Sequence, residues 1–160
     1  MKYIKGNYGK HQAHATVAIV VSQFNQFITG RLLEGCLKGL KEYGIDDRNI
    51  TVIEVPGAIE IPLACQQIIT SHKPDAVIAL GCVIRGETSH YDYVCEQVSQ
   101  GCQQLAMSRS IPVIFGVLTT ENEAQALARV GGKHGHKGFE AAEAALTMVD
   151  VLAQIQRVGE

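Results

Sequence analysis

The residues best suited to chemistry stand in one run, Gly81-Cys82-Val83-Ile84-Arg85-Gly86-Glu87-Thr88-Ser89-His90. The apolar stretch Ala76 to Leu80 precedes it, and a long helical pattern follows. A strand, a glycine-bearing loop and a helix in that order offer backbone N–H groups and the positive end of a helix dipole to an anion. Thr88 and Ser89 supply hydroxyls at the helix start, and Ser89 with Asp92 reads as a capping pair. His90 then falls in the first turn. A proton carrier thus stands beside a phosphate cradle, a pairing suited to acid–base work on a phosphorylated small molecule.

Positioning that loop requires a sheet, and the chain alternates strand and helix. Thr16 to Val21 is an apolar, β-branched run that reads as a strand buried on both faces. The first helix is expected from Thr29 to Tyr43, with Leu32, Cys36 and Leu40 on its apolar stripe and Gly44 as its stop. Asn49 to Val55 is a second strand, and Pro56 reads as the start of a helix reaching Ser71. The third strand lies within Asp75 to Ile84, followed by a helix from Ser89 to Arg109 and a fourth strand from Ile111 to Leu118. A short helix from Thr120 to Val130, a glycine-rich joint over 131–138 and a last helix from Phe139 to Ile155 complete the pattern. Four strands separated by helices predict a single-domain, three-layer α/β/α sandwich over 15–160 with a four-stranded parallel, flavodoxin-like sheet. Residues 1–14 read as an N-terminal arm. A sheet that narrow has edges to protect, so an oligomer is expected.

Ligands of open α/β sheets bind at the carboxyl ends of the strands. Phe24 and Asn25 follow the first strand, Pro56-Gly57-Ala58-Ile59-Glu60 the second, the central loop the third, and Phe115 to Leu118 mark the end of the fourth. Phe24 could stack on a flat ring, Glu60 could hold hydroxyls or ring N–H groups, and Arg129 or Lys137 could add positive charge near a phosphate. Each has a plainer reading. Phe24 could cover the core, Glu60 could serve only the helix dipole, His90 could be a surface histidine, and Arg129 could be solvated. His134 and His136 flank Gly135 at a spacing compatible with a metal, although a solvated joint is the simpler reading.

Composition narrows the partners. The 160 residues are 46 % hydrophobic and 19 % charged, with a net charge of −2 and no long basic run, which argues against nucleic acid and anionic membranes. No apolar stretch approaches the roughly 20 residues needed to span a bilayer, and Met1 to His14 lacks a signal-peptide core. A cytoplasmic location is expected. The five cysteines, odd in number and without Cys-x-x-Cys spacing, read as small buried hydrophobes rather than disulfides or metal ligands.

Five segments in order resemble the 6,7-dimethyl-8-ribityllumazine synthase family: Phe24-Asn25, Val55 to Pro62, Gly81 to His90, Phe115 to Glu121 and Gly135 to Gly138. The likeness runs from Thr16 to the C-terminus. It implies condensation of 5-amino-6-(D-ribitylamino)uracil with 3,4-dihydroxy-2-butanone 4-phosphate, without metal or cofactor, in the penultimate step of riboflavin biosynthesis. By this resemblance Phe24, Ala58, Ile59, Glu60, Cys82, Val83 and Ile84 contact the pyrimidine. Phe115 closes that pocket from an adjacent subunit. Glu87, Thr88 and Arg129 hold the butanone phosphate, Lys137 is a further candidate, and His90 moves the protons. The resemblance also implies a homopentamer, which in this family can close into a sixty-subunit icosahedral shell, with riboflavin synthase as a candidate partner. Two activities on the same fold compete with this reading: a flavodoxin-type flavin-phosphate binder and a riboflavin synthase. A shell protein with a vestigial pocket is a third. Ser22 to Gln26 does not form the hydroxyl- and glycine-rich loop that the first rival requires.

Overall fold

A computed structural model describes residues 1–9 and 12–160. Four parallel strands, β1 (Val17–Ser22), β2 (Ile50–Val55), β3 (Ala76–Ile84) and β4 (Val113–Thr120), lie in the order β2-β1-β3-β4. Every residue of β1 is buried, as are residues 76–82 of β3, because neighbouring strands flank both and helices cover both faces. Alternation along each strand divides the core in two. Ile19, Ile78 and Leu80 point towards helices α1 (Gln26–Glu42) and α5 (Lys137–Val158). Val20, Val77 and Ala79 point towards α2 (Ile61–His72) and α3 (His90–Arg109). The result is the expected three-layer, flavodoxin-like sandwich.

Several boundaries differ from the sequence reading, each for a local reason. Helix α1 starts at Gln26 rather than Thr29, because Asn25 adopts the left-handed conformation (φ 61°, ψ 46°) and turns the chain at once from strand to helix. Asparagine tolerates that region better than most residues. Pro56 does not open a helix. Its carbonyl accepts from Phe24 N at 3.0 Å, a 3₁₀ turn over Ala58–Glu60 follows, and Pro62 is the proline in the first turn of α2. The expected helix over 120–130 shrinks to α4 (Glu123–Leu127), since β4 continues to Thr120 opposite Ile84. Asn122 caps α4 by accepting from Gln125 N at 2.9 Å.

The joint over 131–138 is an antiparallel hairpin, β5 (Val130–Gly132) with β6 (Gly135–His136), turned by Gly131 at φ 101° and Gly135 at φ 79°. His136 is therefore not a solvated joint residue. It is half-buried against Gly35 of α1, and its Nδ1 accepts from Phe139 N at 3.3 Å to cap α5. That cap starts α5 two residues before the expected Phe139.

Helices α1 and α5 approach so closely that side chains are excluded along the seam. A Cβ on Gly138 would collide with the backbone of Leu32, and one on Gly39 would lie 2.9 Å from Ala142 Cβ. The chain ahead of β1 is tied to the same helix. Buried Asp150 accepts from Asn7 N at 2.9 Å and Gln12 Nε2 at 3.1 Å, and Lys5 O accepts from Gln154 Nε2 at 2.8 Å. Of the expected arm over 1–14, Lys10 and His11 lie outside the described residues.

The seam gives a test of packing. Gly138→Ala should destabilise the fold by about 1–3 kcal/mol, because backbone atoms rather than flexible side chains must yield. A urea titration should show a lower midpoint at unchanged slope. An unchanged midpoint would mean that the two helices can part there without loss.

Candidate active site

The strand order makes β1 and β3 neighbours while their onward connections run to opposite sides of the sheet. Such a switch point leaves a crevice at the carboxyl ends. A cavity of about 320 Å³ lies there.

Its first wall follows β1. Phe24 lines the cavity and is 71 % exposed, so it does not cover the core. Asn25 holds this wall to the floor, its Nδ2 donating to Cys82 O at 2.9 Å. The second wall is Gly57 to Glu60. The Glu60 carboxylate accepts from Gly57 N at 2.9 Å, so it caps its own turn while remaining exposed. Cys82, Val83 and Ile84 at the end of β3 form the floor. Gly86, Thr88 and His90 form the rim, with Tyr91 and Val94 of α3 beside them.

The rim has backbone donors that could take an anion. Arg85 N makes the last sheet-type bond, to Thr120 O at 2.9 Å. Among the described residues, the N–H groups of Gly86, Glu87, Thr88 and Ser89 make no hydrogen bond to the protein. They precede a helix of 20 residues, whose N-terminal dipole favours negative charge. The expected Ser89–Asp92 capping pair does not form. Thr88 Oγ1 instead accepts from His90 N at 3.3 Å, and Asp92 pairs with Arg85 at 3.3 Å.

One chain therefore gathers Phe24, Ala58, Ile59, Glu60, Cys82, Val83, Ile84, Thr88 and His90 around a single space. Four other candidates lie elsewhere. Glu87 contributes its backbone to the rim segment, but its exposed side chain does not line the cavity. Phe115 is the third residue of β4, paired with Ala79 near the middle of the sheet rather than at a strand end. It is 43 % exposed and shares a separate hollow with Lys137 and Glu140. Lys137 pairs with Glu140 at 3.4 Å, and Arg129, just past α4, donates from Nη1 back to Gln125 O of that helix, 2.8 Å away.

Tyr91 and Val94 escaped the sequence reading. Their signal was helical spacing, because Val94 lies three and four residues beyond Tyr91 and His90 and so shares their face. Burial pushes the Tyr91 phenol above its ordinary pKa.

A family model described as 6,7-dimethyl-8-ribityllumazine synthase matches residues 14–153. Two curated relatives of that name, from Coxiella burnetii strains CbuG_Q212 and RSA 493 / Nine Mile phase I, are each 50 % identical over 144 residues. The matched stretch covers 90 % of this chain and 95 % of each relative.

Cys82 invites a nucleophile reading that its surroundings oppose. Burial pushes its thiol up to about 11, and no cation or base is the cause of any opposing shift. At pH 8 roughly one molecule in a thousand carries the thiolate. Alkylation of Cys82 by iodoacetamide, followed by peptide mapping, should therefore speed up about tenfold per pH unit from pH 7 to pH 10. Fast labelling already saturated at pH 7 would reveal an activated thiolate.

Proposed function

The chain belongs to the 6,7-dimethyl-8-ribityllumazine synthase family, and we propose a division of labour for that transferase activity within the strand-end cavity. The reaction condenses 5-amino-6-(D-ribitylamino)uracil with 3,4-dihydroxy-2-butanone 4-phosphate, giving 6,7-dimethyl-8-ribityllumazine, phosphate and water. The ring amine attacks the ketone and water leaves to give an imine. Phosphate is then eliminated. Elimination leaves an enol that tautomerises to a new carbonyl; the ribityl-bearing nitrogen attacks it, and a second loss of water closes the ring. Each step relocates a proton.

Phe24 stacks on the pyrimidine, and Ala58, Ile59 and Glu60 hold its edge and the ribityl hydroxyls. Cys82, Val83 and Ile84 support it from the floor, largely through backbone. The free N–H groups of the 86–89 segment and the Thr88 hydroxyl receive the phosphate, while the Glu87 carboxylate stays outside. His90, on the rim between the two substrates, shuttles protons. What supports this reading is the meeting, in one cavity, of an exposed aromatic wall, unpaired N–H groups ahead of a helix and a histidine as the first residue of that helix.

Phe115 and Arg129 are assigned to the site of the next subunit in a homopentamer, with Lys137 as an additional contact. A crevice open on one side excludes water poorly, and a neighbour's aromatic and guanidinium groups would close it. The pentamer, its closure into an icosahedral shell, association with riboflavin synthase, and cytoplasmic localisation are parts of the same reading. So is the division into an arm over 1–14 and a catalytic domain over 15–160. Among the described residues no helix is long and apolar enough to cross a membrane.

Alignment carries most of the rate. Holding two reactants in register can supply about 7–11 kcal/mol, against a factor of about 10²–10⁴ from one acid–base group. His90→Ala should thus lower kcat by about 10²-fold without abolishing turnover, as followed by the fluorescence of the lumazine product. Inorganic phosphate should compete with the butanone phosphate and not with the pyrimidine. Complete loss of activity in a folded, substrate-binding His90→Ala protein would overturn this partition, and competition against the pyrimidine would misplace the phosphate.

Sharing of the site between subunits has its own test. Co-refolding His90→Ala with Arg129→Ala should give some interfaces free of both lesions. Activity should exceed the average of the two refolded separately. No recovery in proven mixed oligomers would place both residues in one chain's site.

A further inference from the structure

Arg85 lies just outside the cavity and joins three of its supports. Its backbone N–H closes the ladder at Thr120 O, 2.9 Å away. Its Nε meets Glu121 Oε2 at 2.8 Å, immediately beyond β4, and its Nη2 meets Asp92 Oδ1 at 3.3 Å in the first turn of α3. Its guanidinium carbon stands 4.2 Å from the centroid of the Tyr91 ring, which is itself a cavity wall. One planar fork thereby fixes the end of a strand, the start of a helix and an aromatic side chain relative to one another.

The segment beyond it lacks other anchors. Gly86 has nothing within 4 Å of where a Cβ would stand, and residues 85–90 are all exposed. Their packing cannot hold the four unpaired N–H groups on a common target. A lone exposed ion pair would do little here, because solvent and salt screen it. Two carboxylates and a ring on one guanidinium share a single ordering cost, and their directions differ.

We propose that Arg85 is a positioning residue for the phosphate loop, acting through the loop's geometry and not as a phosphate ligand. Two carboxylates already engage its single charge, so it has no uncompensated charge to offer an anion, and it does not line the cavity. What it supplies is aim: with Asp92 and Glu121 held, the N–H groups of the 86–89 segment converge beside Thr88 and His90. This rests on the reading of that loop as the phosphate site of the condensation.

The test compares Arg85→Gln, Arg85→Lys and Glu121→Gln with the unsubstituted protein, using calorimetric binding of inorganic phosphate and steady-state kinetics in both substrates. Arg85→Gln should weaken phosphate binding and raise KM for the butanone phosphate, each by about ten- to a hundredfold. KM for the pyrimidine should stay within about twofold, because Phe24 and Glu60 are carried by other elements. Arg85→Lys keeps the charge without the fork and should recover only part of the loss. Adding Glu121→Gln to Arg85→Gln should change little further, since both remove one clamp. A general structural defect would instead raise both KM values together, and that result overturns the proposal, as does unaltered phosphate binding in a folded Arg85→Gln protein. Should Arg85→Gln fail to fold, Glu121→Gln alone must show the same selective loss or the proposal fails. If the unsubstituted protein neither binds phosphate nor forms lumazine, the reading of the site itself falls, and this inference with it.

Discussion

The burial of β3 on both faces is the constraint from which the rest follows. Residues 76–82 are sequestered between α1 and α5 on one side and α2 and α3 on the other, with β1 and β4 satisfying the strand's backbone. Each large aliphatic side chain so buried contributes about 1.5–3 kcal/mol, a hold that the exposed 85–90 loop lacks. A parallel strand can be buried in this way only if crossover helices cover both faces of the sheet. The end of β3 is therefore rigid for reasons unconnected with any ligand.

The sheet's hold on the chain stops abruptly at Arg85, where the proposed phosphate loop begins. Up to Ile84 the strand is paired with β4, and Arg85 N still reaches Thr120 O; among the described residues the N–H groups of residues 86–89 then have no partner in the protein. The donors of residues 86–88 belong to the loop ahead of the N-cap Ser89, and they adjoin the orphan N–H groups that helical geometry leaves at a helix start. Asn25 has a related role. Its left-handed turn sends the chain into α1 immediately, and its side chain fastens the Phe24 wall to the carbonyl of Cys82. Aromatic wall and anion loop are thus both referred to one fixed strand.

Sequence pattern revealed what depended on local periodicity. The β-branched runs at Thr16–Val21 and Ala76–Leu80 and the stripe Leu32-Cys36-Leu40 announced their elements, and the residues just beyond strands were the ones gathered by the cavity. What stayed hidden depended on partners distant in the chain. Nothing near Thr120 says that β4 will continue opposite Ile84, so the sequence pattern alone puts Phe115 near a strand end that it does not occupy. Nothing near Gly135 says that His136 will lie against Gly35, which turns an apparent flexible joint into a hairpin packed under α1. Asp92 illustrates the same limit. A carboxylate three residues after a serine at a helix start looks like a cap, yet a guanidinium seven residues earlier competes for it, and a charged partner wins over a neutral amide.

The charge distribution around the rim links the chemistry to assembly. Glu87, Asp92 and Glu121 surround the loop, while Arg85, the cation among them, is committed to two of these carboxylates. One chain therefore offers a phosphate dipoles and N–H groups but little uncompensated positive charge. In the proposed reaction that balance suits a leaving group, which must be steadied during elimination and then released. Dipolar donors hold a dianion less firmly than a cluster of guanidinium groups in a dry pocket would. If Arg129 reaches the site only from a neighbour, full electrostatic stabilisation exists only in the oligomer. The edge strands then do more than protect the sheet: exposed Phe115 on β4 would mark the face by which one subunit completes the site of the next.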